Sequence, residues 1–320
     1  MKDQFEREID YVRISLTDRC QLRCTYCMPA NGIQWLAPSQ QLSKDEIKKI
    51  VHILAELGIK KIKLTGGEPL LYPGLAALVF DLKTISGIEE VTLTTNGIKL
   101  PEMIDDLVKA GLDGVNISLD TLSKERYAEI TRCDMLKLAR AGLVAAIGSP
   151  LKKVKVNSVL IQSFTKQDAL ELVNLARHHP IHVRFIEWMP IGQTKPIKSM
   201  SEATIKTLIA EHYGEVKPFL GALGNGPARY YEVANFKGKI GFISAMTHDF
   251  CATCNRVRIT SDGFLKTCLA FNQGVDLKQA LKNDCLAAEI LSVLKKKPKK
   301  HLLGQDFAQK ELKNMIQIGG

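Results

Sequence analysis

Between Tyr11 and Met189, short runs of β-branched and aliphatic residues alternate with segments whose apolar residues return every third or fourth position. The runs at 12–16, 61–65, 90–94, 114–119, 154–160 and 182–188 are predicted strands. Between the first two, Ser43 and Glu46 have capping-box spacing, and Ile47, Ile50, Val51, Leu54 and Leu57 follow at helical spacing until Gly58. Alternation of this kind builds right-handed βαβ units around a parallel sheet. Six units are too few to close an eight-stranded barrel. The expected fold is α/β: a partial (β/α)6 TIM-type barrel with its site at the carboxyl ends of the strands.

Past Met189 the alternation stops. Residues 191–200 read as a loop, 201–212 as a helix, and 230–235 and 239–244 as strands. Residues 257–260 and 264–268 read as a hairpin about Ser261-Asp262-Gly263, and 276–282 and 286–294 as helices. The expectation is a barrel of residues 1–190 with a smaller C-terminal domain, 191–320, packed against it.

Hydrophobic residues make up 45% of the 320 positions and charged residues 24%, which implies a well-buried core and excludes a disordered chain. The opening MKDQFEREIDYVR is too charged for a signal peptide, and no apolar run is long enough for a bilayer. A cytoplasmic protein without a membrane partner is therefore expected. There, eight cysteines argue for metal or redox chemistry and against a disulfide framework. The net charge of +10 asks for an anionic partner. Lys295, Lys296, Lys297, Lys299 and Lys300 supply part of it and read as a solvated run near a helix end, in preference to an RNA contact.

Six cysteines fall into two triads. Cys20, Cys24 and Cys27 have C-x3-C-x2-C spacing in the loop after the first strand. Three thiolates without a fourth suit a [4Fe–4S] cube with one open iron. The alternative is zinc completed by a distant ligand. Cys251, Cys254 and Cys268 form the second triad, where zinc would need His248 or Cys285. Cys133 and Cys285 read as ordinary thiols. Arg256 and Arg258 follow Cys254 on one side of a predicted strand, which makes sense if an anion lands there. A second, independent sign is the alternation within strands. Arg13, Lys63, Lys155 and Arg184 each sit between apolar neighbours, so the cations are expected to face the bore. Glu187 and Asp120 could pair some of them; a triphosphate would satisfy them better. No P-loop motif is present.

The first triad, with Tyr26 before its last cysteine and Thr65-Gly66-Gly67-Glu68-Pro69 after the second strand, resembles the radical S-adenosylmethionine (SAM) superfamily. The stretch 250–259 with Cys268 resembles, more narrowly, the GTP 3′,8-cyclase family of molybdenum-cofactor biosynthesis. So do 10–19, 93–97, 116–120, 155–157, 184–187 and the terminal Gly319-Gly320. Two departures are a segment at 193–200 shorter than usual and Arg132 where a glycine follows the threonine.

The resemblance implies two [4Fe–4S] clusters and SAM as cofactors, with SAM contacts at Tyr26, Gly67, Ser118 and Met189. It implies GTP as substrate, contacted by Arg13, Lys63, Thr94, Lys155, Arg256 and Arg258. The implied reaction removes hydrogen from C3′ of GTP and joins C3′ to C8, giving 3′,8-cyclo-7,8-dihydro-GTP. Cyclic pyranopterin monophosphate synthase would consume that product. The physiological electron donor and any catalytic side chain stay unassigned, and a homodimer is allowed. The tail Gly319-Gly320 is expected to enter the active site once GTP is bound. The rival readings are a radical SAM peptide-modifying enzyme with an auxiliary cluster and a zinc-bearing RNA-binding module. The second leaves the inward cations unexplained and has few aromatic platforms, at 6%.

Overall fold

The computed structural model describes residues 1–192, 194, 197–305 and 310–320; the expected shortening at 193–200 falls partly outside them. The six strands of the alternating region are β1 (Tyr11–Ser15), β2 (Lys61–Thr65), β3 (Glu90–Thr95), β4 (Gly114–Ser118), β5 (Lys153–Leu160) and β6 (His182–Glu187). They are consecutive parallel neighbours. Six helices cover their outer face: α1 (Lys44–Glu56), α2 (Leu75–Lys83), α3 (Leu100–Lys109), α4 (Lys124–Thr131), α5 (Leu136–Gly148) and α6 (Lys166–His178). The capping box closes as expected. Glu46 N donates to Ser43 Oγ at 3.2 Å, and Ser43 N donates to Glu46 Oε2 at 2.8 Å. Ile47, Ile50, Val51 and Leu54 then face the sheet and are buried. Among the described residues no helix is long and apolar enough to cross a membrane.

The C-terminal third makes no sheet of its own. After α7 (Glu202–Tyr213) come β7 (Val216–Phe219), β8 (Arg229–Val233), β9 (Ile240–Ile243), β10 (Arg256–Ile259), β11 (Phe264–Lys266) and β12 (Gly274–Asp276). The twelve strands among the described residues share one sheet in the order β12-β11-β10-β1-β2-β3-β4-β5-β6-β9-β8-β7. Thus β10 lies parallel to β1 at one edge of the barrel and β9 parallel to β6 at the other. Strands β7 and β12 lie outside the predicted set; both are short outermost strands with little apolar alternation. In β10, Val257 and Ile259 join the core beside Val12 and Ile14 of β1, which leaves Arg256 and Arg258 on the face that carries Arg13.

The junction between α4 and α5 grips the loop holding Cys20, Cys24 and Cys27. Arg23 N donates to Thr131 O at 3.0 Å and Thr25 N to Ile130 O at 2.9 Å. Arg132 ends α4 in the left-handed region, at φ 57°, which explains a glycine at this place in the resembled family. Here the arginine offsets the strain with its side chain: Nη1 donates to Arg23 O at 2.8 Å and to Met28 O at 3.1 Å. Cys133 Sγ donates to Gln21 O at 3.5 Å. Arg132→Gly should relieve the backbone while losing both bonds, whereas Arg132→Ala loses the bonds and keeps the strain. Thermal unfolding of anaerobically prepared protein should rank wild type above Arg132→Gly above Arg132→Ala, the last two about 1 kcal/mol apart. Equal melting of the two variants would show that the turn is not strained.

Candidate active site

A cavity of about 340 Å³ runs through the barrel, and all sixteen residues singled out for cofactor, substrate or metal line it. The parallel strands explain how. Cys20, Cys24 and Cys27 follow the carboxyl end of β1, while Cys254 precedes the amino end of β10, the parallel neighbour of β1. Cys268 follows β11, which runs antiparallel to β10 and returns to that same end. The two triads therefore face each other along the bore. A five-residue strand separates their levels, roughly 16 Å at the rise of a parallel strand.

The cations occupy the interval. Arg258, Arg13 and Lys63 are directly adjacent across β10, β1 and β2. Arg184 donates to Asn157 Oδ1 at 2.7 Å, and Asn116 Nδ2 donates to Thr94 Oγ1 at 3.4 Å. Lys155 Nζ donates to the carbonyl of Leu223, in a loop that lines the amino end of the bore through Gly224, Asn225 and Gly226. Among the described residues no carboxylate side chain forms an ion pair with Arg13, Lys63, Lys155, Arg184, Arg256 or Arg258. The two candidates for that task are engaged elsewhere. Asp120 accepts from Tyr26 OH and Val159 N, both at 2.7 Å. Glu187 accepts from Met246 N at 2.7 Å and Thr247 N at 3.0 Å. Glu90, which also lines the cavity, is bonded to Lys153 and acts on Lys63 and Lys155 only from a distance.

The electrostatics record the cost. Burial, then Arg184, Arg13 and Lys155, hold the Lys63 ammonium well below its ordinary range. Burial and Arg184 bring Lys155 down to about 7, and burial, Arg13 and Arg256 bring Arg258 to about 9. The Nε atoms of Arg13 and Arg256 are buried with no hydrogen-bond partner among the described residues. Unsatisfied guanidinium nitrogens among like charges are what an anionic ligand would relieve.

At the carboxyl end, the two glycines of the G-G-E-P turn make room for protein backbone. Gly67 N donates to Thr17 O at 2.6 Å, and a Cβ on Gly67 would meet Arg19 O at 2.3 Å. The turn is thereby fastened to the segment leading into the first triad. Glu68, 1% exposed, accepts from Thr95 Oγ1 at 2.6 Å, Asn96 N at 2.7 Å and Leu70 N at 3.0 Å. Burial still raises its carboxyl to about 7 against these bonds. Asn96 Nδ2 in turn lies 3.9 Å from Cys20 Sγ. Tyr26, Ser118 and Met189 stand around this end of the cavity.

The donor chemistry of each triad suits an iron–sulfur cluster. Burial pushes Cys20 up to about 12. Among the described residues no three His, Cys, Asp or Glu groups are arranged to hold one metal ion. The fourth ligands considered for zinc are not at the site. Cys285 Sγ donates to Ala280 O at 3.7 Å, and neither Cys285 nor His248 lines the cavity. Three soft donors per triad, with neither Cys285 nor His248 at hand to complete a tetrahedron, suit an iron–sulfur cube.

The tail lies in the cavity, with Gly320 among its lining residues. Ile316 and Ile318 are buried at its base, and Ile316 N donates to Cys27 O at 3.3 Å. Gly319 has φ 85°, and a Cβ there would sit 2.7 Å from Ser15 Cβ, so only glycine passes. Arg258 Nη1 donates to Gly319 O at 2.9 Å, and Arg13 Nη2 donates to Gly320 O.

Two groups near the second triad were missed in the sequence. His301 N donates to Cys251 Sγ at 3.4 Å while its ring is tied to Ala245 O at 3.0 Å. Lys297, read as solvated, is 2% exposed, unlike the other four lysines of its run. A helix end returning over the triad buries it, a tertiary effect with no local signal.

The radical SAM superfamily model matches residues 14–176, and the model described as Molybdenum Cofactor Synthesis C matches 181–303. A GTP 3′,8-cyclase of Clostridium perfringens is 42% identical over 324 residues, covering all of both chains. Those of Syntrophomonas wolfei and Limosilactobacillus fermentum are 42% and 38% identical, the latter over 99% of this chain and 98% of its own. Among solved structures, Streptococcus suis SuiB bound to S-adenosylmethionine is similar at a TM-score of 0.60 and 20% identity, covering 89% of this chain and 68% of that one. That likeness concerns the fold alone. Full-length identity, both family models and a bore joining two cysteine triads agree: the chain belongs to the GTP 3′,8-cyclase family of the radical SAM superfamily.

Proposed function

We propose that this chain cyclises GTP between C3′ and C8, an early step of molybdenum-cofactor biosynthesis. The observation that carries the reading is the row of cations, none with a carboxylate side-chain partner among the described residues, between two three-cysteine sites. Cys20, Cys24 and Cys27 would hold one cluster, which together with SAM would supply the hydrogen-abstracting radical chemistry. Tyr26, Gly67, Ser118 and Met189 would orient SAM. Cys251, Cys254 and Cys268 would hold the second cluster. Arg13, Lys63, Lys155, Arg256 and Arg258 would bind the triphosphate, with Thr94 on the nucleoside. The chain's own contribution is position and exclusion of water, because the bore fixes where the ribose can sit. A cyclase product would pass to a synthase that forms the cyclic pyranopterin. A cytoplasmic location fits eight free thiols.

Anaerobic incubation with SAM, reductant and each nucleoside triphosphate in turn should give 5′-deoxyadenosine and a cyclised product with GTP. Equal turnover with every nucleotide, or none, would refute the assignment.

Lys155 makes the binding step pH-dependent. Free, its ammonium titrates near 7; an anion beside it raises that value. Affinity due to Lys155 is thus full below pH 7 and declines as pH rises toward the bound-state value. At pH 8, GTP binding should take up close to about one proton more in wild type than in Lys155→Met, by calorimetry in buffers of different ionisation enthalpy. Equal uptake in the two proteins would place Lys155 away from the phosphates.

The tail and the triphosphate contest Arg13 and Arg258. Deleting Gly319-Gly320 should cut GTP-dependent 5′-deoxyadenosine formation at least about tenfold, since about 1.4 kcal/mol of lost positioning suffices. Nucleotide affinity should not weaken, and both clusters should remain. Undiminished turnover would leave the tail inert.

A further inference from the structure

The helix Leu286–Leu294 ends in Lys-Lys-Lys-Pro-Lys-Lys, and the third lysine turns inward. Lys297 Nζ donates to Arg256 O at 3.0 Å and to the carbonyl of Thr267. Those carbonyls belong to the two segments that carry Cys254 and Cys268, and the ammonium also reaches the Cys254 thiol. Arg7 holds the third segment, donating to Cys251 O at 2.8 Å and to Pro298 O at 2.8 Å. The two buried cations differ in one respect. Arg7 is neutralised by Asp3, at 2.6 Å, whereas among the described residues Lys297 forms no ion pair with a carboxylate. Carbonyl dipoles satisfy its protons but leave the charge, and an uncompensated buried charge is expensive. A cube held by three thiolates carries net negative charge and would supply the missing counter-ion.

We propose that Lys297 is a positioning residue for the second cluster: it ties the Cys254 and Cys268 segments together and is the fixed positive charge that favours the cluster's reduced state. This rests on the reading of the second triad as an iron–sulfur site. A cation beside a cluster stabilises the added electron, so the potential is raised.

The test uses the full chain, prepared anaerobically as wild type, Lys297→Met and Lys297→Arg. Iron and sulfide per chain are measured, with redox titrations followed by electron paramagnetic resonance. The first cluster serves as the internal control. Lys297→Met should keep the first cluster and its potential. Its second cluster should be less occupied, and what remains should reduce at a more negative potential. Lys297→Arg should restore the potential, because the charge returns. Unchanged occupancy and potential in Lys297→Met would overturn the proposal. So would loss of native circular dichroism and of both clusters in the two variants alike, which would make Lys297 a pin for the whole fold. A wild type with about four irons, unaffected by Cys254→Ala, would instead remove the underlying reading, and it is told apart by needing no Lys297 variant.

Discussion

Three like charges held side by side in a buried bore are the constraint on which this structure turns. Arg258, Arg13 and Lys63 are neighbours by sheet register, so side-chain rearrangement cannot separate their strands. Strand pairing fixes their row, and the apolar partners Val12, Ile14, Val257 and Ile259 fix which way they face. The hydrophobic core therefore holds the cations against their own repulsion. The site is pre-organised for an anion before any anion arrives, and part of the binding free energy is already spent in folding.

The same register sets the relation between the triads. Because β10 extends the barrel's own sheet, the second triad is not on a hinged lobe. Its distance from the first is a strand length and its direction is the strand direction. A substrate spanning the bore meets one site at each end, and the cations decide how far in it sits. The glycine turn at Gly66-Gly67 works in the same sense. It presses against residues 17–19, and Glu68 fastens Thr95 and Asn96 to it, so three strand ends are locked around the first triad.

Much of this was legible in the residues. The six barrel strands announced themselves by β-rich runs, the triads by spacing, and the inward cations by single charges between aliphatic neighbours. What escaped reading came from long-range pairing. Nothing near residues 256–259 indicates that they join β1, since Val257 and Ile259 would suit any buried strand. The lysine run looked solvated because four of its five members are; the fate of Lys297 depends on where the chain returns. Arg132 was noticed as a missing glycine, but only the positive φ and the two carbonyls under its guanidinium give the reason. The tail's destination was anticipated, yet its engagement with Arg13 and Arg258 needed the geometry.

The closure of β10 on β1 also imposes an order on biosynthesis. Asn255 Nδ2 donates to Asp10 Oδ1 across 245 positions, so β1 leaves the ribosome long before its edge partner exists. Most of the seat of the first triad is made once Cys133 has left the ribosome, with the α4–α5 junction, Asn96 and Asp120 in place and only Ile316 still to reach Cys27 O. The second seat must wait for Arg7, near the start, to meet Cys251 and Pro298, near the end. A nascent chain thus passes through a long interval with one thiol triad seated and an open parallel edge beside it, a state prone to mispairing. Maturation is accordingly sequential, and the nearly finished chain is the earliest form that can carry both clusters.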